Sequence, residues 1–119
     1  MLVLIAHGSR DPNWRASLES LATSVLTGSP TEDVRLAFMQ FEGPTLTQVL
    51  EDAVAQGVRS FRLLPLFMAS AGHVDKDIRP LVAELARRFP GVTMELLGPV
   101  GENPLFHTLI QNIANHTLS

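Results

Sequence analysis

Four short apolar runs alternate with four amphipathic segments along this chain, and the alternation limits the folds open to it. The apolar runs lie at residues 2–6, 34–41, 61–67 and 92–97. Each is short, and turn-forming Gly, Pro, Asp or Asn lies near its ends, which is typical of strands. The sequence therefore predicts an α/β fold, a flavodoxin-like doubly wound three-layer α/β/α sandwich around a four-stranded parallel sheet.

The helices between these runs are predicted from their capping signals. Their starts are expected at Asp11-Pro12, at Gly43-Pro44, near residues 75–77 and at Asn103-Pro104. Pro80 must lie in the first turn of the third helix, since proline in a helix interior removes a backbone hydrogen bond. The apolar residues expected to face the core are Trp14, Leu18, Leu21, Ala22 and Val25 in the first helix and Phe106, Leu109, Ile110 and Ile113 in the last.

Length and composition exclude several classes of protein. We expect residues 1–119 to form one domain, because no linker or internal repeat divides them. The chain has no cysteine, which excludes disulfides and thiolate sites and fits a reducing cytoplasm. A net charge of −3 without a basic block argues against nucleic acid, and no apolar run approaches the roughly 20 residues of a membrane span.

Two histidines follow two of the predicted strands. His7 comes directly after the first run, and His73 follows the third run within a loop of small residues. Ligands of such sheets bind outside the carboxyl ends of the strands. Neutral imidazole binds divalent first-row metals and accepts protons near pH 7, so the pair predicts a metal-handling or acid–base site at this edge.

Other polar residues near the same edge have simpler interpretations. Glu42 either shares the side of Gln40 or only precedes a helix. Asp77 is expected to cap the third helix, and Glu102 to be a solvated loop acid. Neither Ser9 nor Ser70 lies in a serine-hydrolase elbow, and the glycines form no nucleotide-binding motif.

Four segments of the chain together resemble a known family. They are AlaHisGlySerArgAspPro at 6–12, AlaPheMetGlnPheGluGlyProThrLeu at 37–46, LeuProLeuPheMetAlaSerAlaGlyHisValAspLysAspIle at 64–78 and GlyProValGlyGluAsnPro at 98–104. In these residues the chain resembles the small CbiX-type sirohydrochlorin chelatases of the class II chelatase family. The resemblance implies insertion of Co²⁺ or Fe²⁺, with Ni²⁺ left open, into a reduced tetrapyrrole for cobalamin or sirohaem synthesis.

The resemblance also implies roles for individual residues. His7 and His73 would hold the metal and accept the pyrrole protons. Arg10 would contact the carboxylates of the tetrapyrrole. The other residues implied to bind substrate are Ser9, Gln40, Glu42, Ser70, Ala71 and Gly72.

Two positions depart from the family pattern. Gln40 stands where family members usually carry an acid, so that acid is missing unless Glu42 takes its place. Ala71 stands where glycine is common and narrows the loop slightly.

The family picture further implies a homodimer, because larger members have two lobes of this size with the site between them. No permanently bound cofactor is expected, since the divalent metal and the tetrapyrrole are both substrates. Two other hypotheses stay open. One is a non-catalytic tetrapyrrole or metal carrier, and the other is an assembly partner with a large exposed apolar face.

Overall fold

Strands and helices alternate strictly along the chain, as predicted. The structure, a computed structural model, describes residues 1–29 and 31–116. Its elements are β1 (Leu2–Ala6), α1 (Pro12–Gly28), β2 (Val34–Phe38), α2 (Leu46–Ala55), β3 (Ser60–Pro65), α3 (Arg79–Arg88), β4 (Thr93–Leu96) and α4 (Pro104–Ala114). A π-helical turn, Val74–Ile78, leads directly into α3, and a 3₁₀ turn, Val100–Glu102, precedes α4.

The four strands form one parallel sheet in the order β2-β1-β3-β4. β1 lies inside the sheet, where Leu4 pairs with Leu36 on one side and with Leu64 on the other. All five residues of β1 are buried, as expected for a parallel strand in a sheet that carries helices on both faces. The order places the carboxyl ends of β1 and β3 side by side, and these are the ends that precede His7 and His73.

Helices pack on both faces of the sheet, which confirms the three-layer α/β/α prediction. The cluster on one face joins α2 and α3 to the sheet through Val49, Leu50, Val82, Leu85, Val3, Ile5, Phe61 and Leu63. The cluster on the other face joins α1 to the sheet through Ala22, Val25, Leu2, Leu4 and Val34. The larger core therefore lies between the sheet and α2 and α3.

Several boundaries differ from the sequence prediction. β2 ends at Phe38 rather than at residue 41, because the chain then bends and the Phe38 N–H donates to the carbonyl of Pro44. α2 begins at Leu46 rather than at Gly43-Pro44, because Thr45 forms a capping box with Gln48. β3 ends at Pro65 rather than at residue 67, as expected of a residue without an N–H.

The prediction that the apolar residues of α1 and α4 are buried is wrong for several of them. Trp14 and Leu21 of α1 are each about two-fifths exposed. Leu109, Ile110 and Ile113 of α4 are also exposed. Periodicity shows which residues share a face of a helix, but it does not show whether another element covers that face. Pro80, by contrast, lies in the first turn of α3 as predicted.

No helix among residues 1–29 and 31–116 combines the length and the apolar character that crossing a membrane requires.

Candidate active site

His7 follows the buried strand β1 directly, and its surroundings hold it in place. Its backbone carbonyl accepts a hydrogen bond from the indole Nε1 of Trp14 at 2.7 Å. Its ring meets the ring of Phe67 edge to face, with centroids 4.4 Å apart and planes at 71°. The imidazole is therefore half-buried against an apolar wall at the end of the strand.

His73 lies at the start of the π-helical turn, beyond the loop that follows β3. Gly72 before it has a φ of +86°, a conformation that glycine adopts without the steric cost other residues pay. The Nδ1 of His73 lies 2.8 Å from a carboxylate oxygen of Asp77, one turn further on. Because an ionised carboxylate can only accept, Nδ1 is the donor, and the neutral ring then carries its lone pair on Nε2.

The two imidazoles lie against each other. Their centroids are 4.8 Å apart and their planes meet at 81°. Both rings line a cavity of about 280 Å³ whose other walls are Phe67, Met68, Ala69, Ala71 and Val74. Side chains separated by 66 positions in the sequence thus form one small site with an apolar wall.

Burial lowers the pKa of His7 below its usual value, and the nearby His73 lowers it further. Desolvation penalises the charged imidazolium, and a second positive charge in contact would repel it. The neutral form of His7 is therefore favoured near pH 7. A neutral ring has a lone pair available for a metal ion or for a proton.

Two imidazoles are fewer ligands than a structural metal site uses, which is typically four. Within the part of the chain that the structure describes, no group of three or more His, Cys, Asp or Glu side chains is arranged to hold a metal ion. The described site can therefore offer a metal ion the two rings of His7 and His73.

Glu42 braces the loop that carries His7. One of its oxygens accepts from the backbone N–H of Ser9 at 2.8 Å, and the other accepts from Arg15 at 3.0 Å. Gly8 packs so tightly against the next loop that an added Cβ would lie 1.4 Å from the carbonyl oxygen of Gln40. These contacts fix the backbone after β1 against the backbone after β2.

Glu102 braces the loop that leads to His73 in a similar way. Its carboxylate accepts from both the backbone N–H and the hydroxyl of Ser70, each at 2.8 Å. These two hydrogen bonds hold the pKa of Glu102 below its usual value. Beside it, an added Cβ on Gly101 would lie 2.3 Å from the carbonyl oxygen of Met68. The loops after β3 and β4 are therefore packed together.

The remaining predicted residues lie around this site with fewer contacts. The guanidinium of Arg10 lies over the ring of Phe41, 5.2 Å from its centroid, and both side chains are exposed. Gln40 is exposed on the neighbouring loop, and Ala71 lines the cavity itself.

Ser9 donates to Glu42 through its backbone N–H, while its hydroxyl accepts from the N–H of Asp11. Ser70 donates to Glu102 through both its N–H and its hydroxyl.

Two residues at this edge make contacts that the sequence did not predict. Asp77 was expected to cap a helix, but its carboxylate contacts the ring of His73. Its spacing of four residues from His73 was the available signal, since such pairs share one face of a helical turn. Glu102 is exposed, as expected of a solvated loop acid, but it also binds Ser70 across 32 residues, and no local pattern indicates such a contact.

Comparison with known proteins gives matches along the chain. Residues 1–117 match the model of the CbiX family. The sirohydrochlorin cobaltochelatase of Methanocaldococcus jannaschii is 35% identical over 81 residues, which cover 68% of this chain and 57% of that protein. The chain thus spans little more than half the length of this curated relative.

Two solved structures share the fold. The CbiX protein from Marinobacter aquaeolei VT8 is 33% identical, with a TM-score of 0.82 over 98% of this chain and 93% of that one. The sirohydrochlorin chelatase SirB from Bacillus subtilis subspecies spizizenii, solved in complex with cobalt, is 21% identical, with a TM-score of 0.77. The match to SirB covers 96% of this chain but 49% of the SirB chain, and at this identity it shows the fold alone.

Proposed function

The chain belongs to the CbiX family, and we propose that residues 1–119 form a single sirohydrochlorin chelatase domain. The reaction is insertion of a divalent metal, Co²⁺ or Fe²⁺, into a sirohydrochlorin-type tetrapyrrole, in cobalamin or sirohaem synthesis. The observation that carries the proposal is the contact between the rings of His7 and His73, 4.8 Å apart at the strand ends where ligands of such sheets bind. The tetrapyrrole and the metal are both substrates, and no resident cofactor is part of the proposal.

The two histidines act in sequence on metal and protons. The neutral rings bind M²⁺ through their lone pairs and replace part of its water shell. As the metal passes to the macrocycle, two pyrrole nitrogens lose their protons and bind it. Each imidazole that releases the metal regains a free lone pair, so it can accept one of the two protons. His7 and His73 are thus both metal ligands and proton acceptors.

The loops around the histidines bind the tetrapyrrole. Arg10 is exposed at this edge and suits the carboxylate side chains of the macrocycle, because guanidinium forms strong hydrogen bonds with carboxylates. Gln40, Ala71 and Gly72 line the path by which the tetrapyrrole reaches the two histidines. Ser9 and Ser70 contribute by fixing the loops in which they lie, because their hydrogen bonds to Glu42 and Glu102 hold those loops in place. The same contacts favour a bracing role for Glu42 over that of a free acid.

We propose that the chain works as a homodimer with the cleft between two copies. The cavity beside the histidines is about 280 Å³, just below the roughly 300–1,000 Å³ of most ligand sites. One copy therefore leaves a large flat macrocycle uncovered on one side. The cytoplasm is the proposed location, since its reducing conditions keep iron as Fe²⁺.

An anaerobic absorbance assay tests the function. Purified protein is mixed with sirohydrochlorin, and Co²⁺, Fe²⁺ or Ni²⁺ is added in turn, with a no-protein mixture and the His73→Ala variant as controls. We expect the wild type to accelerate the spectral change of metal insertion over the spontaneous reaction, and His73→Ala to lose nearly all of this acceleration. Equal rates in all three mixtures would refute the proposal.

A carrier of tetrapyrrole or metal is the second candidate function. It is favoured by Gln40, which cannot accept a proton as the acid usual at this position could. A carrier would bind sirohydrochlorin and retain it through gel filtration without accelerating metal insertion. In that event Gln40→Glu is the variant to test for a gain of catalysis.

A further inference from the structure

Two large apolar side chains are exposed in the loops at the edge of the sheet that carries the histidines. Phe41, in the loop after β2, is 62% exposed, and Met68, in the loop after β3, is 64% exposed. In the part of the chain that the structure describes, all the other exposed large apolar side chains lie in α1 or α4. Exposed apolar groups beside reactive side chains mark a surface that a ligand covers.

The order of the strands places these two residues on either side of His7. β1, which His7 follows, lies between β2 and β3. Neighbouring strands are about 4.8 Å apart, so the ends of β2 and β3 are separated by roughly 10 Å. Met68 lines the cavity together with both imidazole rings. The histidine pair thus lies between two loops that each expose a large apolar side chain.

The backbone of Phe41 has an unfavourable conformation. Its φ is +67°, in the left-handed region, where a side chain crowds the following carbonyl oxygen. The loop imposes this conformation, because the carbonyl of Gln40 packs against Gly8 and the carboxylate of Glu42 binds Ser9. Asparagine would fit this conformation more easily than a bulky aromatic residue. Such strain is concentrated at binding sites, and a mostly exposed ring gains little packing within its own chain in return.

Arg10 adds a cation beside this ring. Its guanidinium lies 5.2 Å from the centroid of the Phe41 ring. Such a contact uses the flat face of the guanidinium and leaves the N–H groups at its edge available for hydrogen bonds. Within residues 1–29 and 31–116, Arg10 forms no ion pair with a carboxylate. The pair therefore suits a flat apolar ring system that carries carboxylates at its rim.

We propose that the tetrapyrrole lies across the strand ends in contact with Phe41 on one side of the histidine pair and with Met68 on the other. A macrocycle of four pyrrole rings covers the roughly 10 Å between the two loops, whereas a ligand of one ring does not. The ring of Phe41 stacks on the macrocycle, and the thioether of Met68 contacts it as sulfur contacts other aromatic rings. The inference rests on the proposed function for its ligand, but it concerns binding and not metal insertion.

An anaerobic titration with metal-free sirohydrochlorin tests these two contacts. The chain has one tryptophan, Trp14, whose indole N–H donates to the carbonyl of His7, so its fluorescence reports on this edge of the sheet. A bound tetrapyrrole absorbs the light that tryptophan emits and therefore lowers the emission. The proteins compared are the wild type, Phe41→Asn, Met68→Gln and the control Leu26→Gln. Leu26 lies on α1 and is 42% exposed, so it controls for making an exposed apolar residue polar.

Both variants of the proposed contacts should bind sirohydrochlorin more weakly. We expect the Kd to rise roughly tenfold in Phe41→Asn, which loses the stacked ring, and roughly threefold in Met68→Gln, which keeps the shape of the side chain but not its apolar character. Leu26→Gln should bind like the wild type. The proposal is overturned if the wild type does not bind, if either Phe41→Asn or Met68→Gln binds like the wild type, or if Leu26→Gln is weakened as much as they are.

Thermal unfolding separates ligand binding from a structural role of Phe41. Asparagine tolerates the left-handed conformation, so Phe41→Asn should keep the melting temperature of the wild type or raise it. A lower melting temperature would assign the ring a structural role and would also overturn the proposal.

The titration contains no metal, so its result is separate from that of the insertion assay. If all four proteins bind alike and the wild type still accelerates metal insertion, this inference fails and the chelatase proposal stands. If binding is weakened as expected but the wild type accelerates no insertion, the two contacts stand and the chelatase proposal fails.

Discussion

The carboxylate of Glu102 holds Ser70 by two hydrogen bonds of 2.8 Å, one from the backbone N–H and one from the hydroxyl. The carbonyl of Ser70 in turn accepts from the N–H of Asp75, inside the π-helical turn that follows His73. Glu102 is thus linked to the position of His73 through Ser70, although it has no hydrogen bond to the histidine. Glu42 has the corresponding contact with Ser9 on the other histidine loop.

Replacing Glu102 should slow metal insertion without unfolding the protein. In Glu102→Ala the loop before His73 loses both hydrogen bonds, so we expect kcat to fall roughly tenfold, as for other residues that orient a ligand indirectly. Steady-state kinetics and circular dichroism measure the two effects. Glu51→Ala, which breaks a surface ion pair with Arg88, is the matched control and should leave kcat unchanged. Equal kcat values for the two variants would remove the positioning role.

Asp77 should affect metal affinity or rate by fixing the tautomer of His73. Asp77→Asn keeps the shape of the side chain, but its amide N–H can donate to Nδ1. The lone pair of the neutral ring is then no longer held on Nε2. We expect roughly a 10–100-fold loss of metal affinity or rate. Asp75→Asn is the control, because Asp75 is equally exposed and pairs with Arg79 instead. Cobalt titration of both variants would contradict the assignment if their affinities were the same.

The titration of His7 should depend on His73. In the metal-free protein we expect the pKa of His7, followed by NMR of its ring proton, to lie below 6.5. In His73→Ala the repulsion is lost, so the pKa should rise but stay below 6.5, because burial is the larger cause. An unchanged pKa in the variant would mean that the two rings do not interact electrostatically.

The same shift has a consequence for folding. Because the folded state lowers the pKa of His7, the unfolded chain takes up its proton first as the pH falls. The stability associated with neutral His7 is therefore present above pH 6.5 and is lost as the pH drops below this value. Denaturant unfolding between pH 5 and 7.5 should show a weaker pH dependence for His7→Gln than for the wild type.

Arg10 should act on substrate binding more than on the chemical step. Its guanidinium is exposed over Phe41 and has no contact with either histidine ring. We expect Arg10→Ala to raise the KM for the tetrapyrrole severalfold with a smaller change in kcat. Arg35→Ala, which removes an exposed arginine on β2, is the control. Unchanged KM in Arg10→Ala would assign this residue a structural role.

A side chain at Gly101 should lower the free energy of unfolding. Its Cβ would lie 2.3 Å from the carbonyl oxygen of Met68, so Gly101→Ala must push the two loops apart. We expect a loss of about 1–3 kcal/mol in the free energy of unfolding, as for other overpacked sites. Gly98→Ala is the control in the same loop, since an added Cβ there meets nothing within 4 Å. Urea denaturation of the two variants would contradict this reading if their stabilities were equal.

The sequence predicted those parts of the fold that depend on local pattern. The strands and the sheet follow from short apolar runs, and α1 follows from Asp11-Pro12, whose carboxylate caps the helix. Strand order then brings His7 and His73 to neighbouring strand ends, which the strand-end rule anticipated. The exposure of Ile110 was missed because periodicity does not show what lies opposite a helix. The bond from Ser70 to Glu102 was missed because it joins two loops far apart in sequence.

The contact of Gly8 with residue 40 lets the side chain at position 40 change without a change in the backbone shape of this edge. Gly8 packs on the carbonyl oxygen of Gln40, a backbone atom that every amino acid has, while the side chain of Gln40 is exposed. The shape of this edge of the sheet is therefore independent of which side chain stands at position 40. An amide can therefore be exchanged for a carboxylate there without moving either histidine, and under the proposed function this exchange would adjust the charge that an incoming metal ion meets.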